Sequence, residues 1–170
     1  LSYRSIANQL LKNWPEQAPG KVVVAHLGSG ASLCAMHNCV SRDTTMGFST
    51  LDGVPMATRC GALDAGVVIH LAKTGRDLGE IEDLLYHRSG LLGVSGISAD
   101  SRVLLESDEN QAKEAIELFT FRIAGEIARL GTTLGGLDTL VFTAGIGEHQ
   151  PAIRADICTC LLYTSPSPRD

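Results

Sequence analysis

The order of patterns along this chain predicts an α/β protein, in which helices pack against a sheet. Short valine-rich and other apolar runs near the start are followed by segments with helical spacing, and a last apolar run leads through a glycine-containing turn into another helix. Short β-branched runs are typical of strands, and apolar residues three and four apart are typical of a helix face. Strands, then helices, then a strand–turn–helix unit fit the layered α/β class.

Composition is that of an ordinary globular protein. The 170 residues are enough for one domain with a real core, and 44% of them are hydrophobic. The net charge of −5, without a lysine and arginine cluster, does not favour nucleic acid as a partner. No apolar run has membrane-spanning length, so we expect no membrane partner. The five cysteines lack metal-site spacing, and we expect reduced thiols in a cytoplasmic protein.

The first quarter of the chain has one segment with helical spacing, followed by short alternating runs. The elements predicted there, in chain order, are a helix over Ser5–Leu11, strands over Lys21–His26 and Ala31–His37, a turn at Asn38-Cys39, and a strand over Val40–Met46.

The rest of the chain is mainly helical. Asn110–Leu130 has the clearest pattern, because its apolar residues recur every three or four positions until Gly135-Gly136. The other elements predicted are a loop from Pro55 entering a helix that reaches Lys73, a helix over Leu78–Tyr86, a loop over Gly90–Gly96, a buried strand over Thr139–Thr143, a turn over Ala144–Glu148, and a helix over Pro151–Cys158.

The turn between the first two predicted strands is a candidate phosphate site. Gly28 and Gly30 permit a tight turn that exposes backbone N–H groups, which phosphate oxygens require. A plain hairpin turn is the more common explanation of the same residues. The turn alone therefore leaves both interpretations open.

Two later glycine-containing segments suit the same kind of ligand. Gly93–Arg102 ends with a carboxylate and a guanidinium two residues apart, and Thr143–His149 follows a strand and precedes a helix. In open α/β sheets that second position is the usual ligand crevice, and a helix N-terminus favours anions. Neither of the two common nucleotide-binding glycine motifs is present. A phosphate ligand is predicted without them.

Arg59 is the candidate residue for transition-state stabilisation. It lies between Thr58 and Gly61, just before a predicted helix, and its guanidinium can make bidentate hydrogen bonds to a phosphoryl group. A surface ion pair with Asp64 is the simpler alternative.

These segments together carry a resemblance to a known family. The matching segments, in chain order, are His26–Ser32, Asp43–Phe48, Met56–Gly61, Gly93–Arg102 and Phe142–Glu148. Their order and spacing resemble those of the acetate kinase family, which also includes propionate and butyrate kinases. The resemblance runs from about Leu1 to about Cys158.

The resemblance implies an actin-like (ribonuclease H-like) ATPase domain, with a mixed sheet and flanking helices, present here in incomplete form. It also implies transfer of phosphate between ATP and a short-chain carboxylate, with ADP as the other product, Mg²⁺ as the metal, and a homodimeric intact protein. The residues it assigns to a phosphate-binding turn are His26, Leu27, Gly28, Ser29 and Gly30. Those it assigns to an adenosine-contacting loop are Asp100, Ser101 and Arg102. Those it assigns to a second nucleotide-binding turn are Gly145, Ile146, Gly147, Glu148 and His149. Arg59 matches the family's catalytic arginine.

The chain departs from the family pattern at several points. Ser29 and His149 stand where many members have asparagine, and Ala62 stands where the family has an aspartate. Leu1–Arg4 resembles the residues just after the family's Phe-His-Gly motif, so we expect the catalytic histidine and the metal ligands to lie outside this chain. Residues 1–159 would then be part of a carboxy-terminal nucleotide-binding domain with little kinase activity alone.

The last eleven residues, 160–170, break the helical pattern and end polar and proline-rich. They resemble a translated sequencing adapter, and we interpret them as a non-native, disordered tail. A disordered native tail is the alternative.

Two other functions are weighed against the kinase. A non-catalytic nucleotide-binding module of the same superfamily would have no use for Arg59 in its motif. A sugar kinase of that superfamily fits the segments His26–Ser32 and Asp43–Phe48 poorly. The preferred carboxylate chain length is not encoded in the residues present.

Overall fold

The computed structural model describes residues 2–164. Within them, four strands form one mixed sheet in the order β3-β2-β1-β4. The strands are β1 (Lys21–Leu27), β2 (Ala31–His37), β3 (Val40–Thr44) and β4 (Thr139–Thr143). β1 pairs antiparallel with β2, and β2 pairs antiparallel with β3, whereas β4 runs parallel to β1. Because β1 and β4 are parallel neighbours, their carboxyl ends lie side by side at the same end of the sheet.

Helices cover both faces of this sheet. They are α1 (Ser2–Asn13), α2 (Ala65–Lys73), α3 (Leu78–His87), α4 (Gly90–Ser95), α5 (Ser101–Leu105), α6 (Asn110–Leu134), α7 (Ala144–His149) and α8 (Pro151–Thr164). Among residues 2–164, no helix is both long and apolar enough to cross a membrane.

The two faces of β1 bury different side chains, because successive residues of a strand point in opposite directions. Val23 and Leu27 pack into the main core with α6, where Phe119 and Ile127 are almost fully buried. The side chain of Val22 belongs to a second core on the opposite face, which α1 covers. Burial on both faces explains the continuous apolar run of β1.

The edge strand β3 is joined to α6 by polar contacts. Asp43 accepts hydrogen bonds from Arg129 at 2.7 Å and from Thr133 at 2.9 Å. Partial burial acts to raise the pKa of Asp43, but these hydrogen bonds outweigh it and the pKa is lowered. Asp43, the first residue of the segment Asp43–Phe48, therefore links the sheet to α6 through hydrogen bonds.

The predicted strands are confirmed, with β1 one residue longer and β3 two residues shorter than expected. The predicted turn after β2 is also confirmed, since Asn38 and Cys39 both have positive φ, as the tightest hairpin turns require. The helix predicted over Asn110–Leu130 extends to Leu134 and ends at Gly135, which is left-handed. Only β4 differs in burial, because it lies at an edge of the described sheet and is half-buried.

Three segments were predicted wrongly. Gly90–Gly96 is not a loop but the short helix α4 with Gly96 as its left-handed end. Residues 144–149 form the helix α7 where a turn was expected. The helix α8 does not end at Cys158 but continues to Thr164, so the first part of the expected tail is helical. Residues 165–170 of that tail lie outside the described residues.

Candidate functional site

A cleft of about 1010 Å³ opens at the ends of β1 and β4. It lies where sequence reasoning expected a ligand, and its size is at the upper end of small-molecule sites. The predicted site residues that line it are His26, Gly28, Ser29, Gly30, Arg59, Asp100, Ser101, Arg102, Gly145, Ile146 and His149. The three glycine-containing segments and Arg59, which are far apart in sequence, thus share one cavity.

The first glycine segment is both a hairpin turn and a wall of the cleft. It joins the antiparallel strands β1 and β2, and the Gly28 N–H donates to the Gly30 carbonyl at 3.1 Å. A methyl group at Gly30 would lie 3.8 Å from Arg59 Nη1. The two interpretations left open by the sequence are therefore compatible, because this hairpin turn lies next to a guanidinium.

His26 lies near the end of β1, at the start of that segment. It pairs with Ser32 of β2 and with Thr143 of β4. Its Nδ1 is buried and has no hydrogen-bond partner among the described residues. Ser32 shares a hydrogen bond with the hydroxyl of Tyr3 in α1. Burial raises the pKa of Tyr3 to about 12, so this hydroxyl stays neutral at physiological pH.

Arg59 is positioned by backbone hydrogen bonds of its own loop. The Ala57 N–H donates to the Ser29 carbonyl at 3.1 Å, which ties the loop to the first glycine turn. The first N–H groups of α4 donate to the same loop, from Leu91 to Met56 at 2.9 Å and from Leu92 to Ala57 at 3.0 Å. The loop therefore supplies the acceptors that the start of a helix lacks.

The Arg59 side chain is held inside the cleft rather than in an ion pair. Its Nη1 donates to the Thr50 carbonyl at 3.1 Å. Asp64, the alternative partner, instead accepts from the Gly66 N–H at 2.7 Å and caps α2. Within residues 2–164, the ion pairs do not include Arg59. Its charge therefore remains available to a ligand.

Asp100 and Arg102 form an ion pair at the rim. Arg102 Nη2 lies 2.6 Å from Asp100 Oδ2, and the Arg102 N–H donates to Asp100 Oδ1 at 2.9 Å, which caps α5. The hydrogen bonds from Arg102 hold the pKa of Asp100 at about 2. Between them, Ser101 is buried and its hydroxyl accepts from Gln150 Nε2 at 2.9 Å.

Three predicted site residues do not line the cavity. Leu27 is fully buried in the core. Gly147 lies against Phe142, where a methyl group would be 3.6 Å from the phenylalanine Cβ. Glu148 Oε1 accepts from the Ala144 N–H at 3.1 Å and so caps the start of α7. These residues shape the segment that the ligand would meet.

Several lining residues were missing from the prediction. They are Ala31, Ser32, Met46, Thr50, Ala57, Ala99, Ala144 and Gln150. All of them except Thr50 and Gln150 lie inside the segments already singled out, so taking each segment whole would have found them. Gln150 also directly follows the third segment, but nothing in the sequence indicated its contact with Ser101.

The class of protein is defined by this fold together with its solved neighbours. The structure matches an acetate kinase from Porphyromonas gingivalis with a TM-score of 0.89 and 32% identity, covering 95% of this chain and 42% of that one. It matches a propionate kinase from Francisella tularensis with a TM-score of 0.89 and 36% identity, covering 96% and 43%. The fold is the predicted actin-like ATPase fold, with a mixed sheet and flanking helices.

The chain belongs to the Acetokinase family, whose model matches residues 2–164. It is 58% identical over 163 residues to an acetate kinase from Rhodopseudomonas palustris, and 48% identical over 155 residues to one from Rickettsia prowazekii. These alignments cover 93% and 91% of this chain, and 40% of each relative. The chain therefore spans about 40% of the length of these curated relatives.

Proposed function

We propose that the whole protein transfers the γ-phosphate of ATP to a short-chain carboxylate, giving an acyl phosphate and ADP. The observation that carries this proposal is the meeting of three glycine-containing segments and Arg59 in one cleft. Membership of the Acetokinase family and the names of the relatives support acetate or propionate as the acceptor.

The proposed reaction is a direct in-line transfer. A carboxylate oxygen attacks the γ-phosphorus, the bond from that phosphorus to the bridging oxygen breaks, and its electron pair leaves on ADP. Carboxylate and ATP become acyl phosphate and ADP without net proton transfer. Such reactions depend mainly on positioning and on neutralising charge.

The residues of this chain would supply both. The backbone of Gly28–Gly30 would face the phosphates, and Arg59 beside Gly30 would stabilise charge on the transferred group. Because Arg59 Nη1 is held by the Thr50 carbonyl, the guanidinium is oriented before the ligand arrives. Asp100, Ser101 and Arg102 would contact the nucleoside, with Gly145–His149 between them and the phosphates.

The proposed cofactor Mg²⁺ would neutralise phosphate charge when bound. Within residues 2–164 no three His, Cys, Asp or Glu side chains are grouped so as to hold a metal ion. Since Mg²⁺ is commonly held by nucleotide phosphates with one or two carboxylates, this chain's cleft is compatible with a metal carried by ATP. Its protein ligands are proposed to lie outside residues 1–159.

The remaining expectations also stand as proposals. Residues 1–159 would be the partial carboxy-terminal nucleotide-binding domain, and residues 160–170 would be a non-native addition whose first residues, Cys160 and Leu161, pack against the core of that domain. The intact protein would be a cytoplasmic homodimer, as the family resemblance implies.

Calorimetric titration of the purified chain with ATP and ADP, each with Mg²⁺, tests the proposal. We expect Arg59→Ala to weaken ATP binding by about tenfold, because a charged hydrogen bond to the γ-phosphate is lost, and to weaken ADP binding less. Arg76→Ala, an exposed arginine after α2, is the matched control. Equal effects of Arg59→Ala on both nucleotides would favour the non-catalytic nucleotide-binding module.

Trapping of acyl phosphate with hydroxylamine compares the kinase activity of this chain with that of the whole protein. With acetate or propionate, ATP and Mg²⁺, we expect hydroxamate from the protein expressed with its flanking coding sequence and almost none from this chain. Robust turnover by the chain alone would contradict the proposed division of the catalytic residues. Absence of product from the whole protein would contradict the proposed activity.

A further inference from the structure

The cleft has two ends, which are separated by the length of α7. At the start of α7, Ala144 lies close to the first glycine turn, since a methyl group at Gly28 would be 3.6 Å from Ala144 Cβ. At the end of α7, Gln150 contacts Ser101. Six helical residues rise by about 9 Å. Since Gly28, Arg59 and Gln150 line the same cavity, a nucleotide with its phosphates beside Gly28 and Arg59 would have room to extend its nucleoside toward Gln150.

Gln150 is buried at that far end, and only one of the two polar atoms of its side-chain amide has a hydrogen-bond partner among residues 2–164. The residue is 8% exposed, and its Nε2 donates to Ser101 Oγ at 2.9 Å. Its Oε1 is buried and meets no donor among residues 2–164. Unpaired buried acceptors are uncommon and destabilising, so each one calls for an explanation.

The backbone of Gln150 does not depend on this side chain. Its N–H donates to the Ile146 carbonyl at 3.1 Å, and its carbonyl accepts from the Arg154 N–H at 3.4 Å. The end of α7 is therefore fixed by main-chain contacts, and the amide is free to serve another purpose. Gln150 also lines the cavity together with Ser101.

We propose that Gln150 is a specificity-determining residue that recognises the nucleoside. Its Oε1 accepts a hydrogen bond from a donor on the bound nucleoside, while its Nε2 holds the Asp100–Arg102 loop through Ser101. The donor is either the exocyclic amine of adenine or a ribose hydroxyl, which share this chemistry. This inference rests on the proposed nucleotide site.

Binding of nucleotide analogues to the purified chain tests the inference. Relative to ADP, IDP lacks the exocyclic amine, and the 2′-deoxy and 3′-deoxy forms of ADP each lack one hydroxyl. Pyrophosphate is the probe that lacks a nucleoside. The variant is Gln150→Met, which keeps the length of the side chain and removes both polar atoms. The matched control is Gln111→Met on the exposed first turn of α6.

We expect the unsubstituted chain to bind ADP about three- to tenfold more tightly than one of the three analogues, the range of one buried hydrogen bond. In Gln150→Met that preference falls to within about twofold of unity while pyrophosphate binding is unchanged, as befits loss of a nucleoside contact. The analogue that shows the preference identifies the donor. Gln111→Met retains it.

The results that would contradict the role of Gln150 differ from the result that would contradict the nucleotide site. A preference that survives Gln150→Met, or an equal loss of ADP and pyrophosphate affinity, would overturn the role of Gln150, as would the absence of any preference in the unsubstituted chain. If Gln150→Met does not fold, Gln150→Asn, which keeps the amide but withdraws it by one methylene, is measured and judged in the same way. Failure of the unsubstituted chain to bind either ADP or pyrophosphate would overturn the nucleotide site itself.

Discussion

The glycine turn between β1 and β2 and the loop that carries Arg59 lie side by side in the cleft, but different interactions hold them. The turn joins strands that are buried on both faces, so side-chain packing positions it. The Arg59 loop leads into α2, whose residues are all described and none of which is buried. In the following helix, α3, the buried residue is Ile81.

The Arg59 loop is anchored in the main core by the fully buried side chains of Val54 and Met56, and backbone hydrogen bonds hold the rest of it. The Cys60 N–H donates to the Leu85 carbonyl at 3.1 Å, and the Ser89 N–H donates to the Thr58 carbonyl at 2.8 Å. With the contacts to α4, these bonds fix the loop from several sides. The comparison teaches that one cleft can combine a wall set by side-chain packing with a wall that also depends on main-chain hydrogen bonds. Each wall should respond to a different kind of substitution.

The largest expected effect comes from truncation in the core. Ile127 of α6 is fully buried, whereas Ile69 of α2 is 56% exposed. We expect Ile127→Ala to lower the free energy of unfolding by about 2–5 kcal/mol, because it removes buried apolar surface and leaves a cavity. Ile69→Ala should change it by less than about 0.5 kcal/mol. Urea unfolding measures both, and equal losses would show that α2 is as tightly packed as the core.

The next effect tests main-chain geometry at the two ends of α4. Gly90 and Gly96 have nearly the same positive φ, of 61° and 63°. A methyl group at Gly90 would overlap the Met56 carbonyl and approach the Arg59 carbonyl, whereas no atom of residues 2–164 lies within 4 Å of one at Gly96.

We expect Gly96→Ala to cost about 1–2 kcal/mol, the strain of the left-handed conformation alone. Gly90→Ala should cost more and should also weaken ATP binding, because the Arg59 loop must shift. Urea unfolding and calorimetric titration on both variants provide the measurement. If the two variants had the same ATP affinity, α4 would not position Arg59.

The smallest effect is electrostatic and depends on pH. Asp43 binds Arg129 and Thr133 beside the sheet, whereas Asp83 of α3 pairs with Arg88 at 2.6 Å and both side chains are about half exposed. The folded pKa of Asp43 is lowered, so its contribution is present above the ordinary aspartate pKa and is lost as pH falls through the folded value.

At pH 7 we expect Asp43→Asn to lower the free energy of unfolding by about 0.5–1 kcal/mol, and the difference to shrink below about pH 4. Asp83→Asn should have no measurable effect. Unfolding curves recorded from about pH 3 to about pH 7, on both sides of the ordinary aspartate pKa of about 4, test this. A pH-independent difference for Asp43→Asn would exclude the ionised carboxylate as its cause.

Much of the fold was predictable because local patterns carried it. The strands around Gly28–Gly30 and the face of α6 follow directly from apolar spacing. The glycine-rich helices α4 and α7 were not predictable, because glycine disfavours helix locally. For α4, the carbonyls of Met56 and Ala57, which are distant in sequence, accept from its first N–H groups. For α7, the acceptor is local, because the Glu148 carboxylate within the same helix accepts from the Ala144 N–H.

The sequence by itself determined the strands, the main helices and the anion-suited turns, because these depend on residue type and short-range spacing, whereas Arg59 was singled out by the family resemblance of its segment. Tertiary structure decided which of those features share a cavity, and which neighbour each side chain meets. Arg59 is oriented by the Thr50 carbonyl rather than paired with Asp64, and Gln150 meets Ser101 across 49 residues. Such contacts depend on how helices and strands pack, and no local pattern encodes them.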